Sequence, residues 1–493
     1  MHTAALGPRR VDVTCDDALG TSDATELVAR LARREVSPRE LRAAALDRCQ
    51  RADAVLDAVA DWFPEPLVTE VAVGVDAPLA GIPALLKDCE AVTGRVASHG
   101  SRAVGQQPAA RCSPMAGHLL RMGLGLLGAT TLPEFGMTAS TESDRFGATR
   151  NPWDTTRTPG GSSGGSAAMV AAGAVPIAHG TDGGGSIRIP AACCGLVGLK
   201  PSRGRLPEGR PAGGTPLRLA TAGVLTRSVR DTALFLALSE RASPAVGLPP
   251  IGHVTRPGRA RLRIGLCLTA TRGMPITAEA AGAASAAADL CSRLGHDVEL
   301  TQPPVGDRFL VDFLRYWSFL AWRISVRGRA WFGPGFDRRQ LGTFMRGLRS
   351  RMVDHVELLP GSVSRLRRLA AEHEPDLRRF DVLVSPSTGH EAPGIGFLGP
   401  EVAFPTHLAR LVRFAAPTPS VQNVSGSPAV SLPLGRTASG GPLGVQLVAP
   451  FGQERMLLQL ALALEEAAPW PVTPATVVPG PPPASRVAGR RWG

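Results

Sequence analysis

Two serine clusters set in glycine are the residues most able to do chemistry. Gly160-Gly-Ser-Ser-Gly-Gly-Ser166 carries Ser162 and Ser163, and Gly180-Thr-Asp-Gly-Gly-Gly-Ser-Ile-Arg188 carries Ser186, 24 residues beyond Ser162 and directly after Gly183, Gly184 and Gly185. Glycines beside a serine let backbone N–H groups turn inward and a substrate carbonyl come close, as stabilisation of an oxyanion requires. The stretch therefore reads as a nucleophile site, with Asp182 and Arg188 as a charged pair in support. A base is the next requirement. Of 54 Lys plus Arg, only Lys87 and Lys200 are lysines. Arginine stays protonated, whereas a buried lysine can lose its proton near neutral pH. Lys87 closes the apolar run that begins at Leu79, and burial at such a strand end lowers an ammonium pKa, the condition for a lysine general base. No Ser/His/Asp order and no metal-ligand set emerges, while serine–lysine pairs are a known form of activated nucleophile.

Two motifs point elsewhere and are set aside. Gly123-Leu-Gly125-Leu-Leu-Gly128 matches the dinucleotide fingerprint, but the preceding Met115–Met122 reads as a helix and Pro133 breaks any helix that would hold a pyrophosphate. Gly161-Ser162-Ser163-Gly164-Gly165 matches the hydrolase nucleophile elbow, which would make Ser163 the nucleophile. That elbow needs an apolar strand before it, and Asp154–Pro159 is none.

The elements that must position these residues can be read in order. Ala24–Arg34 and Pro38 to about Val59 form a helical hairpin, the second helix opened by the capping box Ser37-Pro-Arg-Glu40. Leu79–Asp88 holds a short strand, and Leu126–Thr131 another. Ser166–Ala174 is small and helical, and Val175–His179 is strand-like. Pro201–Pro257, rich in Gly, Pro and Arg, reads as irregular cover with one helix, Ser228–Ser239. Arg263–Leu268, Ala278–Leu294 and Val298–Leu300 form a strand–helix–strand unit. Phe309–Phe336 concentrates aromatic residues, with Phe309, Phe313, Trp317 and Leu320 on one helical face. It serves as a core helix or as an apolar wall for a substrate. Phe380–Pro386, Pro428–Pro433 and Gly444–Val448 read as buried strands and Glu454–Ala467 as a closing helix. The expected organisation is a flexible stretch over 1–20, one catalytic domain over 21–470, and a Pro-rich, disordered tail over 471–493.

Composition narrows the class. With 493 residues, 44% hydrophobic and 19% charged, the chain is globular. The net charge of +12 invites a nucleic-acid reading, but the arginines are dispersed and not interleaved with aromatics, which argues against it. Eight cysteines without C-x-x-C spacing fit reduced thiols rather than a disulfide or zinc framework. Neither a signal-peptide core nor an 18-residue apolar span is present, so the expected location is the cytoplasm, without a membrane partner.

Taken together, Gly81-Ile-Pro, Lys87-Asp88, the two glycine–serine motifs and Cys194-Gly-Leu-Val-Gly-Leu-Lys-Pro201 resemble the amidase signature family, in order and spacing over nearly the whole chain. The resemblance implies an α/β fold, a single domain with a central mixed β-sheet covered by α-helices. It also implies a catalytic triad in which Ser186 is the nucleophile, Ser162 the bridging serine with a cis peptide link, and Lys87 the base. The N–H groups of Gly183, Gly184, Gly185 and Ser186 would form the oxyanion hole, with Ser163, Asp182 and Arg188 in substrate-binding or supporting roles. Gly183 stands where the family often has Thr or Ile, and Ala129-Thr130-Thr131 where Lys-Thr-Asn is common. The expected activity is hydrolysis of the C–N bond of an apolar or aromatic carboxamide through an acyl-enzyme on Ser186, with no cofactor and no metal. The expected partner is a small-molecule amide, with a homodimer left open. The rival readings are an amidotransferase A-type subunit, an ester hydrolase or acyl transferase using the same triad, and a nucleic-acid-binding protein.

Overall fold

The apolar run before Lys87 folds into a strand, Pro83–Lys87, with every residue buried. Continuously apolar strands of this kind belong inside sheets covered on both faces, and this one lies within a sheet of eleven strands. The computed structural model describes residues 7–63, 77–208, 215–374, 377, 379–415 and 419–474. In chain order the strands are β1 (Val59–Trp62), β2 (Pro83–Lys87), β3 (Gly125–Thr130), β4 (Glu142–Ser143), β5 (Gly147–Ala148), β6 (Ile177–Asp182), β7 (Val197–Lys200), β8 (Thr221–Thr226), β9 (Arg263–Cys267), β10 (Asp297–Thr301), β11 (Val382–Pro386), β12 (Ala429–Arg436) and β13 (Pro442–Val448). β4 and β5 form a separate two-stranded ribbon, and the large sheet runs β1-β3-β2-β6-β8-β7-β12-β13-β11-β9-β10.

The sheet is mixed. β2 runs parallel to both β3 and β6, and β9 runs parallel to both β10 and β11, while the other neighbours are antiparallel. Helices cover it, among them Gly164–Ala171 against β6 and β2, Arg188–Cys194 against β12, β13 and β7, and Ala278–Arg293 against β11, β12 and β13. This is the expected single-domain α/β architecture. Its parallel core matters for function, because ligands of such sheets gather at the carboxyl ends of parallel strands. Lys87 ends β2 and Asp182 ends β6, so the lysine and the glycine–serine loop after β6 emerge side by side.

Most expected elements form within a few residues of their predicted ends, the Ser37–Glu40 capping box included. One is a correction. β8, in the segment expected to be irregular, is fully buried and lies between β6 and β7. Its signal was masked by Gly223 in mid-strand, a residue that weakens a strand reading. Here the glycine is required by packing, because a Cβ would stand 2.8 Å from Ile187 Cδ1 and from Leu199 O. The Gly123–Gly128 stretch is a turn followed by β3, not the strand-then-helix of a dinucleotide site.

The N-terminal helices, Ala24–Ala32 and Pro38–Leu56, pack onto the main body. Within the stretch expected to be flexible, Val11, Val13 and Leu19 are buried. The fully buried Arg48 binds Asp17 at 2.7 Å and the carbonyls of Cys15 and Gly20 at 2.9 Å. Residues 1–6, and residues 475–493 of the expected tail, lie outside the described residues. All eight cysteines are free, five of them buried. Among the described residues no helix is long and apolar enough to cross a membrane.

Candidate active site

Lys87 is the centre of the site. Its side chain is 1% exposed at the end of β2, and its Nζ lies 2.8 Å from Ser162 Oγ, 2.9 Å from Ser163 Oγ and 2.9 Å from Thr181 Oγ1. Burial pushes its pKa down to about 8, since an ammonium loses hydration in such a place. Among the described residues its Nζ has only hydroxyl groups within hydrogen-bond reach, and they solvate either protonation state without fixing a charge.

Sequence explains why the hydroxyls converge. The Gly161–Ser162 peptide bond is cis, and Ser162 and Ser163 immediately precede the helix Gly164–Ala171, which packs under β2 and β6. Thr181 lies on β6, the parallel neighbour of β2. Ser163 is fully buried, with its Oγ 3.2 Å from Thr181 O and accepting from Thr181 N at 3.3 Å. It thus joins lysine and strand and is not among the residues lining the cavity that holds Ser162 and Ser186, which argues against the elbow reading. Thr181, whose hydroxyl completes the lysine's environment, was missed by sequence reasoning. Its position one residue before Asp182, in a strand that the sequence ended at His179, concealed it.

Ser186 follows β6 on the turn through Gly183–Gly185 and is held to the other serine segment by the bond from Ser163 N to Ser186 O at 3.2 Å. Ser162 and Ser186 line one cavity of about 390 Å³. Among the described residues, no hydrogen bond joins their hydroxyls. Gly185 has φ +115°, a conformation open to glycine and strained for other residues. The Gly185 N–H, expected in the oxyanion hole, instead donates to Asp182 Oδ1 at 2.7 Å. The carboxylate is the stronger acceptor, so Gly185 shapes the turn. Among the described residues, no protein acceptor takes the N–H groups of Gly183, Gly184 or Ser186.

Asp182 and Arg188 lie behind this turn, both fully buried, with Arg188 Nε 2.9 Å from Asp182 Oδ2. Burial alone would raise the Asp182 pKa, but the Arg188 guanidinium overrides it and holds the carboxyl far below its usual range. Asp182 also accepts from Ile187 N at 3.2 Å and from Asn423 Nδ2 at 2.9 Å. Arg188 reaches the side-chain oxygens of Gln422, Gln446 and Asn423. The pair supports the turn and does not line the cavity. The amides from Pro419–Ser425 and β13 that hold it carry no sequence signal of their own. Lys200, the other lysine, is fully buried with its Nζ 2.8 Å from Pro201 O and does not line the serine cavity.

The aromatic segment forms the helix Arg308–Phe332, with part of it in the core and part along the cavity. Phe309, Phe313 and Tyr316 are buried in a cluster with Leu217 and Leu219. Trp317, Leu320, Ile324 and Trp331 line the cavity that holds Ser162 and Ser186, together with Phe135 and Met137. Trp317 is fixed by its indole N–H, which donates to Met137 O at 3.0 Å. A second apolar recess, with Gly184, Phe313, Trp317 and Leu411 among its walls, also reaches Ser186.

Comparison with known proteins identifies the family. Residues 40–458 match the model of the Amidase family. The Mycobacterium leprae protein designated AmiC is 43% identical over 464 residues, 94% of this chain and 98% of that protein. Among solved structures, 6-aminohexanoate cyclic dimer hydrolase with its substrate superposes with a TM-score of 0.80 at 32% identity, covering 91% of this chain and 98% of the other. A bacterial aryl acylamidase of the amidase signature enzymes superposes with a TM-score of 0.77 at 27% identity, covering 91% and 96%. The chain belongs to the amidase signature family and is an enzyme that hydrolyses amide C–N bonds.

Proposed function

We propose that the chain hydrolyses small apolar or aromatic carboxamides by way of an acyl-enzyme on Ser186. Ser186 Oγ attacks the carbonyl carbon and passes its proton to Ser162 Oγ, as Ser162 passes its own to neutral Lys87. The oxyanion that forms is met by the N–H groups of Gly183, Gly184 and Ser186, which have no protein acceptor among the described residues. Lys87 then returns a proton through Ser162 to the amide nitrogen, the C–N bond breaks and the amine leaves. Water repeats the sequence on the ester, giving the acid and free Ser186. The observation that carries this reading is a buried lysine, lowered in pKa, whose Nζ stands 2.8 Å from the hydroxyl of Ser162.

The substrate class rests on the cavity walls. Trp317, Leu320, Ile324, Trp331, Phe135 and Met137 form an apolar surface in a space of about 390 Å³, the size of a small-molecule site. The similarity to an aryl acylamidase and to 6-aminohexanoate cyclic dimer hydrolase supports a small-molecule amide as substrate. The test is release of amine from a panel of aryl and alkyl amides by wild type and Ser186→Ala. The wild type is expected to release amine from aryl and alkyl amides, with Ser186→Ala at background. Turnover retained in Ser186→Ala, or turnover of glutamine alone, overturns the proposal.

A further inference from the structure

One charged group in the cavity plays no part in the hydrolysis described above. Glu90 lies three residues beyond Lys87, in the loop after β2, and its side chain is 16% exposed. It lines the same cavity as Ser162, Thr181 and Ser186. One carboxylate oxygen, Oε2, accepts the hydroxyl of Ser113, the N-cap of the helix Pro114–Arg121. The other, Oε1, is 3.9 Å from His179 Nε2, beyond hydrogen-bond reach.

Among the described residues Glu90 forms no salt bridge with a lysine or arginine; burial raises its pKa, against the opposing pull of the Ser113 hydroxyl and the Lys87 charge. Burial pushes the His179 ring down to about 3, so it is uncharged. Lys87 is near enough to be felt electrostatically, but its hydrogen bonds go to Ser162, Ser163 and Thr181, and it must be neutral to act as base. The cavity's other charges, Glu208 and Arg218, pair with each other at 3.4 Å. Glu90 thus lines a substrate-sized space with apolar walls and, among the described residues, has no lysine or arginine within salt-bridge distance.

We propose that Glu90 is a specificity residue that selects amides carrying a second, protonated amino group. This inference rests on the acyl-enzyme reading of Ser186. An ammonium against Oε1 would supply the missing cation and form a charge-assisted hydrogen bond in a poorly hydrated site. It would also favour the chemistry, because the Glu90 charge raises the Lys87 pKa, and a cation that cancels it helps Lys87 stay neutral. The methylenes of such a substrate would lie along the wall of Trp317, Leu320 and Ile324.

The experiment compares paired amides that differ only in an ω-ammonium or an ω-methyl group, placed on the acyl half in one series and on the amine half in another. The readout is the ratio of kcat/KM within each pair. In the wild type the ammonium partner is expected to be favoured by about tenfold or more in one series, and in Glu90→Gln, which keeps an acceptor for Ser113, that ratio falls toward one. A second measurement needs no variant. A primary alkylammonium should protect Ser186 from a fluorophosphonate at roughly tenfold lower concentration than the isosteric alcohol. Equal turnover of both partners in both series, an unchanged ratio in Glu90→Gln, or equal protection by amine and alcohol overturns the inference while labelling of Ser186 keeps the acyl-enzyme reading. Absence of both labelling and turnover brings down that reading and the inference with it.

Discussion

At the scale of single residues, the proposed hydrolysis depends on the protonation state of Lys87. Its proton must be absent for the relay to begin, and burial lowers its pKa to about 8. The rate of acylation is therefore expected to rise with pH through about 8 and level off above it, measured as kcat/KM on an amide with no ionisable group. A rate that is flat from neutral pH upward, or that falls, contradicts the assignment. Lys87→Ala is expected to lower kcat by about three powers of ten or more, since members of a catalytic unit fail together. Ser163→Ala removes one hydroxyl from Nζ, a loss of about 1–3 kcal/mol, and should slow the enzyme roughly tenfold to a hundredfold. Equal losses in the two variants would place Ser163 in the relay itself. The serines and Lys87 were legible in the sequence because glycine clusters and a near-absence of lysine are unusual choices. Thr181 and Glu90 were not, since an ordinary Thr and Glu acquire their meaning only from the strand register and the cavity around them.

At the scale of elements, the site is an outcome of strand order. β2 and β6 are parallel neighbours, so Lys87 and the loop carrying Ser186 leave the sheet on the same side although 99 residues separate them. The elements themselves were largely readable from apolar runs and caps, whereas their neighbours in the sheet were not. β8 shows why. It pairs with β6 from Ile177↔Thr226 to Asp182↔Thr221, but its small residues and central glycine give no alternating pattern, and only burial on both faces makes it a strand. The helix Arg308–Phe332 is tied to the loop before β8 by Tyr316, whose hydroxyl accepts from Leu217 N at 2.9 Å and donates to Leu217 O at 2.6 Å. Tyr316→Phe leaves both backbone groups without that partner and should cost about 1–3 kcal/mol of stability. Because Leu217 and Trp317 line the cavity, KM should rise more than kcat falls. Urea unfolding and steady-state kinetics check the two halves of that expectation, and an unchanged KM would show the helix to be only a core element.

At the scale of the whole molecule, the fold tolerates an unusual burden of buried charge around the sheet. Lys200 is the clearest case, fully buried and pushed down to about 7, first by burial and then by the Arg188 guanidinium. Its folded pKa is below its unfolded one, so the unfolded chain binds more protons between pH 7 and about 10. Lys200 therefore costs stability most at and below pH 7, and less as pH rises. Lys200→Met should be more stable relative to wild type at pH 7 than at pH 9, read from denaturant midpoints at each pH. A constant difference would mean that the amine titrates normally. The central claim for the molecule is that Ser186 is the nucleophile and Lys87 its base. Intact-mass analysis after treatment with a fluorophosphonate tests it most directly, on wild type, Ser186→Ala, Lys87→Ala and Ser163→Ala. A single adduct is expected on wild type and on Ser163→Ala, none on Ser186→Ala, and strongly slowed labelling of Lys87→Ala. An adduct that persists in Ser186→Ala and disappears in Ser163→Ala would contradict it.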